Sequence, residues 1–195
     1  RHSELILPMM DGLLAEAGLA LRQLDGLAFA RGPGSFTRVR IASSIVQGVA
    51  VATDLPVVPV SSLLALAQGA VRTRGAQKVL AGLDARMQEV YWAACVPGAD
   101  GLVGFAGEEM VCAPQAVPLP QGDGWLGWGS AWESYAEALQ ARLPGQVEAL
   151  DGQAMVCAQD VARLAAPRLA AGAGVAPELA LPVYLRDQVA QKMKR

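Results

Sequence analysis

The sequence predicts an α/β protein built from two lobes. Apolar residues at helical spacing alternate with short β-branched runs along the chain, as expected for alternating helices and strands. The second half has the predicted order βββαβαβα, and the first half has the same order without its first three strands. A length of 195 residues leaves room for one domain or two small lobes. We therefore expect lobes at residues 1–76 and 77–195.

Three consecutive strands followed by αβαβα form the half-unit of the actin-like ATPase fold, a ribonuclease H-like architecture. By that comparison, the first lobe lacks its three N-terminal strands in this chain. Three strands of ordinary length with their turns need roughly 30 residues. We expect such a segment to precede Arg1.

The predicted elements of the first lobe follow from apolar periodicity and from turn residues. Leu5, Met9 and Leu13 form one i, i+4 row of the first helix, which Gly18 ends. Ser61 or Ser62 caps the third helix. In chain order the elements are a helix Ser3–Ala17, a strand Leu27–Ala30, a turn Gly32–Ser35, a helix to Thr53, a strand Val57–Val60 and a helix to Val71.

The second lobe begins with three consecutive predicted strands, with a turn at Asp84–Arg86 between the first two. Its four tryptophans are expected in the core. In chain order the elements are strands Val79–Leu83, Glu89–Val96 and Phe105–Cys112, a short helix Pro114–Val117, a strand Trp125–Gly129, a helix Ala131–Leu143, a strand Val147–Leu150 and a helix Ala158–Ala171.

Composition excludes several classes of protein. Charged residues make up only 17% of the chain and the net charge is −2, which argues against disorder and against a general nucleic-acid binder. No apolar run approaches the roughly 20 residues that span a bilayer. The three cysteines are far apart and His2 is the only histidine, so a zinc site of the usual kind is not expected.

No catalytic group emerges from the sequence. Ser35 and Ser130 have no histidine base nearby in sequence. Glu108 and Glu109 are predicted on one strand with side chains on opposite faces, as solvated charges. Asp84 and Arg86 are expected to form a structural ion pair or a cap, or else to bind a ligand. No metal and no cofactor are expected.

The junction between the first strand and the second helix is the sharpest local motif. A strand that leads through glycines into a helix N-terminus can hold an anion on free backbone N–H groups. The alternative is a tight turn with a serine cap, since neither common phosphate-binding pattern is present. The candidate anion-site residues are Gly32, Gly34, Ser35 and Thr37.

Two predicted helices are apolar on more than one face. The first has a wide apolar surface, and residues 41–53 contain no charge, so each needs cover on two sides. One cover is the sheet of the same lobe, and the other is either a neighbouring element or a partner protein. The candidate interface residues are Leu5, Ile6, Met9, Met10, Leu13, Ile41, Ile45, Gly48 and Val49.

Several motifs resemble those of the TsaB (YeaZ) family over the whole chain, most densely in residues 2–67. They are the run Gly32–Thr37, Val39–Ile41, Gln47–Ala50, Pro59–Leu63, Asp84–Arg86 with Glu89–Tyr91, and Pro182–Arg186. The Asp-Thr-Ser strand with which the family usually begins is absent here. Arg38 stands where the family commonly has glycine, which weakens a ligand role for this loop.

The resemblance implies a bacterial cytoplasmic protein of threonylcarbamoyladenosine synthesis on tRNA. It implies a non-catalytic relative of TsaD that pairs with TsaD through the first two helices, and through TsaD with the ATPase TsaE. It also implies a homodimer when the protein is alone, and contact with tRNA only indirectly. The alternative is an actin-like kinase relative that binds a nucleotide or phosphometabolite at Gly32–Thr37. A metallopeptidase is disfavoured by the single histidine.

Overall fold

The computed structural model describes residues 2–186, with side chains from Leu5 onward. The helices are α1 (His2–Glu16), α2 (Phe36–Thr53), α3 (Ser62–Arg74), α4 (Ala131–Ser134), α5 (Ala136–Arg142) and α6 (Ala158–Ala170). The strands are β1 (Leu27–Ala30), β2 (Val57–Val60), β3 (Val79–Arg86), β4 (Glu89–Pro97), β5 (Val103–Phe105), β6 (Met110–Cys112), β7 (Trp125–Trp128) and β8 (Val147–Asp151).

The strands form two sheets. In the smaller sheet β1 and β2 run parallel, with Leu27 opposite Val57. The larger sheet has the order β5-β4-β3-β7-β8, and β6 pairs with the end of β4 that β5 leaves free. The β3–β4 pair is antiparallel, whereas β3, β7 and β8 run parallel to one another. An antiparallel hairpin followed by parallel strands linked through helices confirms the predicted α/β order.

Helices from both halves of the chain cover the smaller sheet. Leu27 and Phe29 point from β1 toward α2, where they share a core cluster with Val46 and Ala50. The alternate residues Ala28 and Ala30 face the opposite side and pack into a second cluster that includes α6. The small sheet therefore lies between α2 and α6.

The core of the chain is continuous across the predicted lobe boundary. One cluster contains Val58 and Val60 of β2, Leu63 and Leu66 of α3, and residues of β3, β4 and α6. Helix α3 contacts both α6 and the larger sheet. The boundary between residues 76 and 77 falls in the α3–β3 connection, and the division into two domains stays a prediction.

The burial of the tryptophans confirms their expected place in the core: Trp92, Trp125 and Trp132 share a cluster of their own, and Trp128 lies in the cluster that includes α6. Trp92, Trp125, Trp128 and Trp132 are between 1% and 7% exposed. Trp92 and Trp132 pack with ring centroids 5.5 Å apart, and the Trp132 indole N–H donates to the Leu80 carbonyl at 2.9 Å. Burial with a satisfied polar end is the usual state of tryptophan in a core.

Three sequence expectations about elements are wrong. The predicted strand Phe105–Cys112 is two short strands, which pair with opposite ends of β4 and leave residues 106–109 outside the sheet. The predicted turn at Asp84–Arg86 is part of β3, and the chain reverses at Met87–Gln88. The predicted helix Ala131–Leu143 breaks at Tyr135 (φ −136°), where the Tyr135 hydroxyl bonds the Asp84 carboxylate at 3.3 Å.

Candidate functional site

Helix α1 presents apolar side chains to solvent. Leu5, Met9 and Leu13 are 55%, 63% and 64% exposed, and Ile6 and Met10 are half-buried. No side chain from Leu5 to Glu16 is buried. Large apolar side chains in contact with water, contiguous along one helix, form the kind of surface that is usually covered by another segment of the protein or by a partner.

Helix α2 is buried along one row only. Val39, Ser43, Val46 and Ala50 are buried on one helix face. Val46 and Ala50 pack with the small sheet, and the Ser43 hydroxyl donates to the Ala180 carbonyl at 2.6 Å. At about 100° per residue, Ile41, Ile45 and Gly48 lie on the opposite face. Ile41 and Ile45 are half-buried and Gly48 is exposed.

Val49 is the one α2 residue of the predicted interface that also touches the core. It is half-buried against the cluster that contains Leu27 and Phe29. Val51, which was not predicted for the interface, is 73% exposed. The solvent-facing apolar surface of α2 therefore includes Val51 and not Val49.

The two helices differ in charge. In residues 2–16 there are acidic residues and no lysine or arginine, whereas α2 contains Arg38 and Arg40 and no acidic residue. Arg38 and Arg40 are both exposed in the first turns of α2. Any molecule that covers α2 therefore meets an apolar face with positive charge at its N-terminal end.

The Gly32–Thr37 loop is held by backbone contacts. The Gly32 carbonyl accepts from the Ser62 N–H at 2.9 Å, and the Arg31 carbonyl accepts from the Val183 N–H at 2.8 Å. A Cβ at Gly32 would lie 2.7 Å from the Val183 carbonyl oxygen, and Gly32 has φ +103°, so glycine is required there. Such close packing supports the tight-turn interpretation of the motif.

The serine cap of that interpretation is not formed. Ser35 occupies the N-cap position of α2, but its side chain makes no capping hydrogen bond. Ser35 and Thr37 are exposed, and Gly34 is half-buried. The four predicted anion-site residues lie within one run of six residues, and whether they bind an anion stays a prediction.

A buried polar cluster lies beside this loop, and the sequence did not predict it. Arg31 follows β1 and Ser61 follows β2, so both lie at the carboxyl edge of the small sheet. Glu109, from the loop between β5 and β6, accepts from the Arg31 guanidinium and from the Ser61 hydroxyl, the latter at 2.5 Å. The Glu109 side chain is only 12% exposed.

The expectation of a solvated Glu109 on a strand is therefore wrong. The reason is that the β5–β6 loop leaves the sheet and directs Glu109 toward the first half of the chain, whereas Glu108 is exposed. Residues that follow adjacent parallel strands meet at one edge, and this rule could have paired Arg31 with Ser61. No local pattern indicates the long-range contact of Glu109.

Asp84 and Arg86 form the expected structural ion pair, at 3.0 Å. Asp84 also accepts from the Arg86 N–H and from the Tyr135 hydroxyl, and its own N–H donates to Ser130. Burial, with the neighbouring Asp84 carboxylate, raises the pKa of Tyr135. Ser130 thus serves as a hydrogen-bond acceptor in this cluster.

Neither a metal-binding cluster nor a membrane-spanning helix is found in the part of the chain that the structure describes. Within residues 2–186 no group of three or more histidine, cysteine, aspartate or glutamate side chains is placed to hold a metal ion. Among the helices of that same range, none is long and apolar enough to cross a membrane. The side chain of His2 lies outside the described side chains.

Comparison with known proteins gives the family. The TsaD model, described as tRNA N6-adenosine threonylcarbamoyltransferase, matches residues 1–192. The Escherichia coli (strain K12) tRNA threonylcarbamoyladenosine biosynthesis protein TsaB is 40% identical over 195 residues, which cover 98% of this chain and 83% of that protein. The chain belongs to the TsaB (YeaZ) family.

Two other relatives agree with that assignment. The TsaB protein of Haemophilus influenzae is 43% identical over 159 residues, which cover 76% of this chain and 66% of that protein. The structure of YeaZ from Pseudomonas aeruginosa superposes with a TM-score of 0.87 at 46% identity, over 94% of this chain and 84% of that one. The expected actin-like ATPase-type fold is confirmed.

Proposed function

We propose that the chain is a non-catalytic scaffold that pairs with TsaD and supports transfer of threonylcarbamoyl to the adenosine next to the tRNA anticodon. The observation that carries this is the apolar surface of α1 and α2, where Leu5, Met9 and Leu13 are more than half exposed. The names of the TsaB relatives support the pathway. TsaE and tRNA interact through TsaD, and the chain forms a homodimer in its absence.

In this proposal, helices of TsaD pack on the apolar surface of α1 and α2 and bury it. Burial of apolar area stabilises such a complex by about 25 cal/mol for each Å² removed from water, before the cost of association. Exposed Gly48 lets a partner helix approach α2 closely. Paired helices of this kind form a bundle whose rigidity holds TsaD in one conformation.

The test is pairing with TsaD of the same cell, measured by titration calorimetry. Ile45→Glu and Leu13→Glu each place a carboxylate in the apolar interface, and each should weaken pairing at least about 100-fold. Circular dichroism checks that the variants fold. Met155→Glu is the matched control, because Met155 is 82% exposed and lies outside α1 and α2, and its affinity should not change.

A tRNA modification assay with purified TsaD, TsaE and the enzyme that supplies the activated threonylcarbamoyl group tests the function itself. Product should form with the wild-type chain and with Met155→Glu, and should fall with Ile45→Glu in proportion to lost pairing. Unchanged pairing of Ile45→Glu would mean that another surface binds TsaD. Full activity without the chain would contradict the scaffold role.

The alternative, a nucleotide- or phosphometabolite-binding enzyme with its ligand at Gly32–Thr37, has less support. The Val183 carbonyl oxygen lies 2.7 Å from the position that a Cβ of residue 32 would take, so the chain itself packs closely against this end of the loop. Calorimetric titration of the isolated chain with ATP and magnesium discriminates the two functions. Tight binding would favour the enzyme.

A further inference from the structure

Three side chains form a stacked group at the N-terminal end of α2. The Arg40 guanidinium carbon lies 3.8 Å from the centroid of the Phe36 ring and 5.8 Å from that of Tyr184. The Arg40 Nε–H donates to the Tyr184 hydroxyl at 2.8 Å, and the two rings lie 5.4 Å apart. Phe36 and Tyr184 are nevertheless 48% and 42% exposed.

This geometry fixes the guanidinium before any partner arrives. Stacking on Phe36 and the bond to Tyr184 restrict the rotamers of a side chain that is otherwise among the most flexible. Preorganisation of this kind lowers the entropy lost on binding. Among the described residues, none accepts a hydrogen bond from the Arg40 Nη atoms, and Tyr184 takes only the Nε side of the fork.

The stacked group continues into the apolar face of α2. An open, mostly apolar patch on the outer side of α2 is formed by Phe36, Thr37, Arg40, Ile41, Ser44 and Ile45. A helix that covers Ile41 and Ile45 therefore passes directly beside Arg40. The end-on pair of Nη atoms fits the two oxygens of a carboxylate.

We propose that Arg40, held by Phe36 and Tyr184, is the charged anchor of the pairing and binds a carboxylate of TsaD at the N-terminal end of the apolar patch on α2. The inference rests on the proposed function and adds to it a residue, Arg40, that determines the specificity of the pairing. Since α2 has two arginines and no acidic residue, an acidic side chain on the partner is the complementary charge. Buried arginines and aromatic side chains are the typical hot spots of protein interfaces.

A nucleic-acid backbone is the less suitable ligand for the same guanidinium. Residues 87–160 carry ten acidic residues and one basic residue, which would repel a polyanion approaching this chain. Two exposed arginines on one helix are few beside the six to ten phosphate contacts typical of strong binders. The continuity with Ile41 and Ile45 favours a protein.

The experiment measures the affinity of Arg40→Gln and Arg40→Lys for TsaD. Arg40→Gln should weaken pairing about 10- to 100-fold, since it removes the charge and the fork. Arg40→Lys keeps the charge but not the planar fork, so it should recover part of the loss. Higher salt should weaken the wild type more than Arg40→Gln. Arg163→Gln, on the exposed side of α6, is the matched control.

Each outcome decides the inference. If Arg40→Gln binds TsaD as tightly as the wild type does while Ile45→Glu does not, the role assigned to Arg40 is wrong, but the proposed pairing with TsaD is supported. If Arg40→Gln loses only tRNA binding, or only self-association, the partner assigned to Arg40 is wrong. If the wild type itself does not bind TsaD, both the proposed function and the role assigned to Arg40 are wrong.

Discussion

At the scale of single residues, Glu109 makes long-range polar contacts that its position in the sequence does not suggest. It joins Arg31 after β1 to Ser61 at the start of α3, although it lies 78 and 48 residues away from them. The Arg31 Nη1 atom is buried and has no hydrogen-bond partner among the described residues. The Arg31 charge therefore depends on Glu109, and loss of the carboxylate leaves it uncompensated.

We expect Glu109→Ala to lower the free energy of unfolding by about 2–3 kcal/mol, because a partly buried arginine is left without its counter-charge. Denaturant unfolding followed by circular dichroism measures this. Glu108→Ala is the control, since Glu108 is exposed and should change stability by less than about 0.5 kcal/mol. Equal effects of the two variants would contradict the role of Glu109.

At the scale of secondary-structure elements, α3 and α2 differ in how they are covered. Eight residues of α3 are buried, from Ser62 to Ala70, whereas α2 buries one row of four. Helix α3 begins with a formed cap, in which the Ser61 hydroxyl accepts from the Leu63 N–H, and ends at Gly75 in the left-handed region (φ 65°). It is the central packing helix, while α2 remains open on one side.

Ser61→Ala should lower the free energy of unfolding by about 1–2 kcal/mol, because the N-terminal cap of a buried helix and the bond to Glu109 are both lost. Ser35→Ala is matched to it at the N-cap position of α2, where no side-chain cap forms, and should cost less than about 0.5 kcal/mol. Thermal and denaturant unfolding compare the two. A larger effect at Ser35 would mean that α2 is capped in solution.

At the scale of the whole molecule, the two halves are joined through α3 and α6. Asp160 in the first turn of α6 is fully buried and accepts two hydrogen bonds from Arg72 of α3, at 2.8 and 2.9 Å. The hydrogen bond to Asp160 raises the pKa of Arg72. The same two helices contribute to the core cluster that crosses the predicted lobe boundary.

Asp160→Ala should lower the melting temperature by several degrees, because the Arg72 guanidinium loses both of its hydrogen bonds to α6 and with them a buried counter-charge. Asp151→Ala is the comparison: Asp151 is 30% exposed and lies 3.7 Å from Arg74, so its ion pair is weaker. Differential scanning calorimetry gives both values. The same loss in both variants would show that the buried Arg72–Asp160 pair stabilises the protein no more than the more exposed Arg74–Asp151 pair.

Local patterns predicted most elements because periodicity and turn residues act over a few positions. The strands Leu27–Ala30 and Val57–Val60 have the bounds that their β-branched and apolar runs predicted. The helices α1 and α6 differ by one residue at each end or less. The prediction was wrong where side chains distant in sequence compete with local preference, as at Tyr135, whose hydroxyl binds Asp84.

By itself, the sequence determined the fold class, the family motifs and the apolar character of α1 and α2, because these depend on spacing and residue type. Tertiary structure alone decided which faces stay open to solvent, that Glu109 is buried against Arg31 and Ser61, and that Arg40 stacks on Phe36 and Tyr184. The physical reason is that exposure and long-range polar contacts are set by how elements pack. Tyr184 lies 144 residues from Arg40, and no local pattern connects them.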